Sequence, residues 1–388
     1  MKILHVLEAF YPSVDGPINA MVNIVKISQE NNWGEMEILV PNYPKNVDLE
    51  GVKIHRCKSM KAADGYRACL PMFDKSIKKL IRDGNWDLIN FHSPFTLPKA
   101  VLKYAKKYNI PTLYTMHTNY KSDFERVLKS KLLQKFMMSY IMKVMNGVDY
   151  MCSVSRGSAD MLRSWGYKKD NIVVIRNGAD MKPVDIDKNI IQNVKKVYGL
   201  DNCFTFLFVG RIVENKNIQF SLKVMKRLKE MGETNFKFLI VGAGGYVEEL
   251  KQMVADYGIE DEVVFAGKIS DREYLAGIYQ ASNLFMFPSV ADTCGIVAIE
   301  AAVNNLPSVM IENCCASEVV EHKVNGLSMP EDVEVWASTI SEVMKDKDLL
   351  ESMSNKAKET IYESWEDVVK KYIDLYQECI DDYKQKNK

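Results

Sequence analysis

Apolar runs too short to be helices recur through this chain, each followed by a longer amphipathic segment. No other feature narrows its fold as much. KILHVLEAF (2–10), EMEILVP (35–41), DLINFHS (87–93), PTLYTMH (111–117), DYMCSVS (149–155) and NIVVIRN (171–177) read as strands in the first half. FTFLFVG (204–210), FKFLIVGAG (236–244), EVVFAG (262–267), LFMFPS (284–289) and PSVMIE (307–312) do so in the second. Helical patterns such as SLKVMKRLKEM (221–231) and YVEELKQMVADYG (246–258) lie between them. A strand apolar on both faces must be covered on both, so this alternation predicts parallel sheets between helix layers. It runs twice, which predicts an α/β chain of two doubly wound, Rossmann-like domains.

The stretch MKPVDIDKNIIQNVKKVYGLDN (181–202) is polar, contains a proline and separates the two sets of strands. It places an N-terminal domain at 1–180 and a C-terminal domain at 181–365. Residues 366–388 form a helical pattern that frays into charge and is expected to pack back on the N-terminal domain. A length of 388 residues suits two cores.

Lys+Arg and Asp+Glu are equal at 51 each, so the chain as a whole is no binder of nucleic acid. The eight cysteines are scattered without a C-x-x-C pair, which argues against zinc knuckles and disulfide frameworks and fits a reducing cytoplasm. The start, MKILHVLEAFYP, lacks the pattern of a signal peptide, and no apolar run approaches the roughly 18 residues of a membrane span. The expected location is the cytoplasm, with peripheral contact to the inner face of a membrane at most.

Two facing domains of this kind bind ligands at the carboxyl ends of their strands, so the residues just after strands matter most. FYPSVDGPINA puts Gly16 and Pro17 ahead of a helix, where a glycine lets backbone N–H groups approach an anion; a plain turn is the alternative. His117 follows PTLYTM and is read as a substrate contact. In FVGRIVENKN, Arg211 and Lys216 lie five apart across a turn, where a planar fork and a point charge suit one diphosphate. IVGAGGYVEEL has Gly242 and Gly244 of a dinucleotide fingerprint but Val247 at its third position, which disfavours a dehydrogenase. The acidic pair in DID (185–187) lies in the linker rather than after a strand, and is read as chance.

SVADTCGIVAIEAA (289–302) is the most telling stretch. A small-residue loop carrying Asp292 and Cys294 opens at Gly295 and Ile296 into an apolar helix containing one carboxylate, Glu300. The helix N-terminus suits a phosphate or hydroxyl, and Asp292 suits sugar hydroxyls. A buried charge needs a partner, so Glu300 meets either the two hydroxyls of a ribose or a structural cation.

Together these residues resemble retaining glycosyltransferase family 4, of the GT-B fold with two Rossmann-like domains about a central cleft. The shared features are the glycine loop, the histidine, the VIRNGAD hinge, the VGR…K pair and the acid–seven residues–acid element ending in Glu300. The resemblance implies that Arg211 and Lys216 hold a donor diphosphate, Glu300 a ribose and Asp292 the sugar, with His117 beside it. The implied catalytic set is His117, Asp292, Arg211 and Lys216. The implied donor-binding set is Gly16, Arg211, Lys216, Gly242, Ile269, Asp292, Cys294, Gly295, Ile296 and Glu300. It further implies retention at the anomeric carbon, a nucleotide-diphosphate sugar (UDP-glucose type favoured) as substrate, and neither cofactor nor metal. Three positions depart from the pattern: Asp292 for the commoner Glu, Cys294 for an aromatic, and Pro17 for a second glycine. Each bears on the identity of the donor sugar.

Between Lys121 and Lys143, six basic and two acidic residues interleave with Phe, Leu, Met and Tyr. Such a segment suits an anionic membrane surface, or else a core-packed helix with a solvated lysine face. With HSPF and TMHTNY it is similar to bacterial transferases acting on diacylglycerol or phosphatidylinositol-type lipids. A soluble glycan acceptor and a non-catalytic GT-B partner subunit are the alternatives.

Overall fold

Two parallel sheets organise the computed structural model, which describes residues 1–13, 15–62, 67–179, 181 and 186–387. The chain divides into two compact units, Met1–Asn177 with Trp365–Lys388 and Gly178–Ser364.

In the first unit, strands β1 (Lys2–Val6), β2 (Glu35–Pro41) and β3 (Lys53–Cys57) precede a small antiparallel hairpin, β4 (Ser59–Lys61) and β5 (Arg67–Cys69). Strands β6 (Leu88–Phe91), β7 (Thr112–Met116), β8 (Tyr150–Ser153) and β9 (Ile172–Val174) follow. The large sheet runs β3-β2-β1-β6-β7-β8-β9, all parallel. Strands β6 and β7 are buried throughout, as their unbroken apolar runs require. The helices are α1 (Gly16–Glu30), α2 (Lys75–Asp83), α3 (Thr96–Lys107), α4 (Tyr120–Val127), α5 (Lys131–Met145) and α6 (Arg156–Ser164).

The second unit repeats the plan. Strands β10 (Phe204–Val209), β11 (Phe236–Val241), β12 (Val263–Gly267), β13 (Leu284–Phe287), β14 (Ser308–Ile311) and β15 (Gly326–Met329) form a parallel sheet ordered β12-β11-β10-β13-β14-β15. Helices α7 (Lys188–Tyr198), α8 (Ile218–Glu230), α9 (Val247–Tyr257), α10 (Arg272–Gln280), α11 (Ile296–Val303), α12 (Val333–Lys345) and α13 (Lys347–Ile361) belong to it. Glycines 199 and 258 end α7 and α9 in the left-handed conformation that lets a helix close without a Cβ clash.

The final helix, α14 (Trp365–Lys386), belongs to the first unit. Trp365, Val368, Tyr372 and Tyr376 join Ile18, Met21 and Val25 of α1 in the core on one face of the sheet. The opposite face is closed by α2, α3 and α5.

All eleven strands expected from the sequence are present. Strands β3, β15 and the β4–β5 hairpin are additional. Strand β3 is a polar edge, KIHRC, and β15 is four residues beginning with glycine, so neither carries the apolar run that marks the others. The DID motif falls partly outside the described residues, at Asp185, as does Asp180 of the hinge.

Candidate active site

In each sheet the strand order reverses once, between β1 and β6 in the first unit and between β10 and β13 in the second. Loops leaving adjacent strands at such a point run to opposite sides and open a crevice at the carboxyl ends. Arg211 and Lys216 follow β10, and Asp292 to Gly295 follow β13. Gly16 follows β1, and His117 follows β7.

The second unit holds the charged groups. Lys216 Nζ donates to both oxygens of Asp292, at 2.6 and 2.8 Å, and lies over the Phe287 ring at 5.6 Å. The two post-strand loops are thus tied across the switch point. Lys216 and Asp292, expected on diphosphate and sugar, are bonded to each other. Arg211 is exposed one residue past the glycine that ends the strand.

Gly242 and Gly244 have a local reason. A Cβ on Gly242 would overlap the Gly210 carbonyl oxygen, and one on Gly244 that of Ile212. Their absence lets the loop after β11 lie against the Arg211 loop, where Ile212 N–H donates to Ala243 O at 2.9 Å and Tyr246 N–H to Ile212 O at 3.2 Å. The glycines that resemble a dinucleotide fingerprint are thereby explained by backbone packing. Ile269 lies half-buried in the loop after β12.

Helix α11 begins after Gly295, which has φ 66° and ψ 53° and no side-chain cap. The turn also brings a would-be Cβ to 3.1 Å from Ala316 and 3.3 Å from Phe287, so glycine is needed for conformation and space. Cys294 is buried beside it, and Ile296 is half-buried at the first turn. Glu300 is 5% exposed. Its Oε1 accepts from Arg272 Nη1 at 3.0 Å and its Oε2 from the Tyr279 hydroxyl at 3.3 Å. Burial, then the Glu300 charge, push the Tyr279 hydroxyl well above its ordinary pKa, so it stays a donor. The cation beside Glu300 is Arg272.

In the first unit, Asp15 caps α1 by accepting from Ile18 N–H at 3.0 Å. A carboxylate thus stands at the helix end where the sequence suggested an anion beside Gly16. Gly16 is exposed, and a Cβ there would meet nothing within 4 Å. His117 is part of a buried row. His5 Nδ1 lies 3.0 Å from His92 Nε2, and His92 Nδ1 lies 2.9 Å from His117 Nε2, with rings stacked at 5.3 and 5.2 Å. Burial lowers the pKa of His5 and His117 to about 3 and that of His92 well below its ordinary value. Three neutral imidazoles result. Glu8 is buried too, and accepts from Cys69 N–H, the Thr96 hydroxyl and Leu97 N–H, so it serves the start of α3, whose own N-cap position offers no side-chain bond.

Sequence reasoning singled out neither Arg272 and Tyr279 nor His5, His92 and Asp15. Arg272 gave no signal, because it meets Glu300 only through the packing of α10 on α11. The histidines gave one: three of the chain's five, His5, His92 and His117, lie in or just after the adjacent strands β1, β6 and β7.

Residues 34–182 match Glycosyltransferase Family 4, and residues 191–360 match Glycosyl transferases group 1. An uncharacterized glycosyltransferase of Methanocaldococcus jannaschii is 24% identical over 97% of this chain and 98% of its own. Alpha-monoglucosyldiacylglycerol synthase of Acholeplasma laidlawii is 24% identical over 92% of each chain. Among solved structures, Anabaena HepE in complex with UDP superposes with a TM-score of 0.77, at 18% identity, over 97% of this chain and 100% of that one. These matches are to GT-B glycosyltransferases.

Proposed function

Since the chain belongs to the glycosyltransferases of group 1 and family 4, with the GT-B fold and a nucleotide-sugar donor, we propose that it moves a hexose from a UDP-sugar to a membrane lipid, with retention and without a metal. The observation that carries the donor half is the grouping at the second switch point. Lys216 and Arg211 follow β10, and α11, whose N-cap is Gly295, follows β13, the two strands of that switch point, where a leaving diphosphate would gather charge. Lys216 exchanges Asp292 for phosphate oxygens when donor binds, and Asp292 is released toward the sugar hydroxyls. Glu300, held by Arg272 and Tyr279, takes the ribose.

In the transfer, the bond from C1 to the diphosphate oxygen breaks as the acceptor oxygen bonds C1 on the same face. The acceptor proton passes to the departing phosphate. Cations already in place at that phosphate make a metal unnecessary. UDP is favoured because the HepE structure holds it.

Burial along α4 and α5 supports the lipid half. Helix α5 buries Ile141, Met142, Val144 and Met145 near its C-terminus, while Leu132, Leu133 and Phe136 near its start stay exposed at 79%, 44% and 64%. Lys121, Arg126, Lys129, Lys131, Lys135 and Lys143 are exposed as well. A core-packed helix would have hidden those apolar groups, whereas an interfacial one presents them beside its cations. Among the described residues, no helix is long and apolar enough to cross a membrane. The synthase of Acholeplasma laidlawii, by its name, makes a diacylglycerol glycolipid.

The test is nucleotide release from UDP-, GDP- and ADP-sugars, with and without anionic vesicles containing diacylglycerol. Release from the UDP-sugar that rises with vesicles, survives EDTA and falls in Lys216→Ala supports the reading. Release indifferent to lipid moves the acceptor to a soluble glycan. No release from any donor defeats the transferase reading. The anomeric configuration of the product, read by NMR, decides retention.

A further inference from the structure

The far end of α5 carries a cavity that the transfer chemistry does not use. Asn146 and Gly147 follow that helix and lead toward the amino end of β8, and residues 165–168 follow α6 and lead toward the amino end of β9. Gly16 and His117 follow the carboxyl ends of their strands, so this place lies at the opposite end of the same sheet. Asn146 ties its two walls together. Asn146 Nδ2 donates to Gly166 O at 3.1 Å, and Lys168 N–H donates to Asn146 Oδ1 at 2.9 Å. The cavity between them measures about 550 Å³, within the range of small-molecule sites.

Its lining has two chemistries. Met138, Met142 and Trp165 form an apolar wall of two pliable thioethers and a flat ring. Lys143 and Lys168, both exposed, supply charge, and among the described residues no carboxylate lines the cavity. Neither lysine has an ion-pair partner among the described residues, whereas the next one, Lys169, donates through Nζ to Val148 O. The indoles differ in the same way. Trp86 and Trp336 donate through Nε1–H to Leu80 O and Pro330 O at 3.0 and 2.8 Å, but Trp165 Nε1–H has no acceptor among the described residues. Three donors without acceptors thus line one cavity beside apolar side chains. On α5, Leu132, Phe136, Ser139 and Lys143 fall at i, i+4, i+7 and i+11, a single stripe, so the exposed apolar start of the helix runs on to the cavity.

We propose that this cavity is a second binding site, for a phosphate carried on an apolar body. The phosphate takes charge-assisted bonds from Lys143 and Lys168 and a further N–H from Trp165. The apolar body lies on Met138, Met142 and the indole, and a longer tail follows the stripe toward Phe136. No carboxylate in the lining repels the head. A lipid headgroup and a soluble organophosphate share this chemistry, and the test separates the two. The site is distinct from the candidate active site and does not rest on the transferase reading.

The test titrates the full chain with octyl phosphate, kept below its micelle threshold, by calorimetry and by tryptophan emission. Saturable binding of one molecule per chain is expected, with an emission change that Trp165→Phe abolishes. The double variant Lys143→Glu/Lys168→Glu should weaken binding more than about tenfold. Both lysines are exposed, so its fold should hold, and a thermal melt checks this; Lys168→Gln replaces it if it does not. Inorganic phosphate and octyl glucoside should each bind more weakly than octyl phosphate, because each lacks one half of the ligand. Equal affinity in wild type and the lysine variant overturns the proposal, as does binding that leaves Trp165 emission unchanged. Inorganic phosphate binding as tightly as octyl phosphate overturns the apolar half. Vesicles containing phosphatidic acid, set against phosphatidylcholine alone, separate the sources. A Trp165 response to phosphatidic acid that octyl phosphate displaces assigns a lipid headgroup, and octyl phosphate binding with no response to vesicles assigns a soluble organophosphate. No arm contains a sugar donor, so failure of this site and failure of the transferase reading are told apart.

Discussion

The two units use the same sheet plan, put their sites after strands at the same switch point, and fill those places with opposite chemistry. After β10 and β13 the second unit carries an exposed Arg211, the partly buried ion pair Lys216–Asp292, and a buried Glu300 paired with the exposed Arg272. After β1, β6 and β7 the first unit carries a capped helix start and a row of buried neutral imidazoles. Ion pairs with one partner near water exchange partners at small cost, which suits groups that must let go of each other to take an anion. Buried neutral donors cannot re-solvate, so they suit fixed orientation. The fold supplies the place, and burial decides whether the groups there move or hold.

This contrast breaks most sharply at Lys216. In Lys216→Ala, donor-dependent nucleotide release is expected to fall on the order of 10²–10³-fold, the usual cost of losing one preorganised charge-stabilising donor. The fold should persist, because the residue is a partly exposed partner of a single carboxylate. Initial rates together with a thermal melt check both halves.

Gly244→Ala should do the reverse, damaging structure first. The new Cβ runs into the Ile212 backbone, and such overpacking costs about 1–3 kcal/mol. Denaturant unfolding reads the loss, and the loop carrying Arg211 is displaced with it.

Acid sharpens the comparison on the side of the first unit. The unfolded chain's histidines bind protons below about pH 6.5, whereas folded His5 and His117 do not until about pH 3. The unfolded state therefore binds more protons in that window, and stability, complete above about 6.5, is lost as pH falls toward 3. Each such imidazole contributes a slope of up to about 1.4 kcal/mol per pH unit. Urea midpoints between pH 7 and 5 should fall, and fall less steeply in His5→Phe.

Asp15→Ala is the mildest break. Loss of the α1 cap is expected to cost about 1 kcal/mol. It also removes a carboxylate from the helix end beside Gly16, so a melt should drop slightly while UDP-sugar affinity, read by calorimetry, holds or rises. A drop in affinity would mean that Asp15 itself takes part in binding.

Much of this was legible from one chain of letters. Strands buried on both faces announce themselves as unbroken apolar runs, and that pattern yields the fold, the strand ends and the loops after them. Within those loops Arg211, Lys216, Asp292 and Glu300 stand out because charge beside glycine at a strand end is costly without a purpose. Edge strands such as β3 stay hidden because one polar face removes the run that marks a buried strand.

Sequence determined the layers and the residues offered at their ends, because burial periodicity and helix-start chemistry are local properties. Tertiary structure alone decided the partners. Lys216 meets Asp292 across 76 positions, Arg272 meets Glu300 across 28, and His5 reaches His117 through a residue 87 positions on. Such pairings depend on which strands the sheet sets side by side and how deeply it buries them, and no local spacing encodes either.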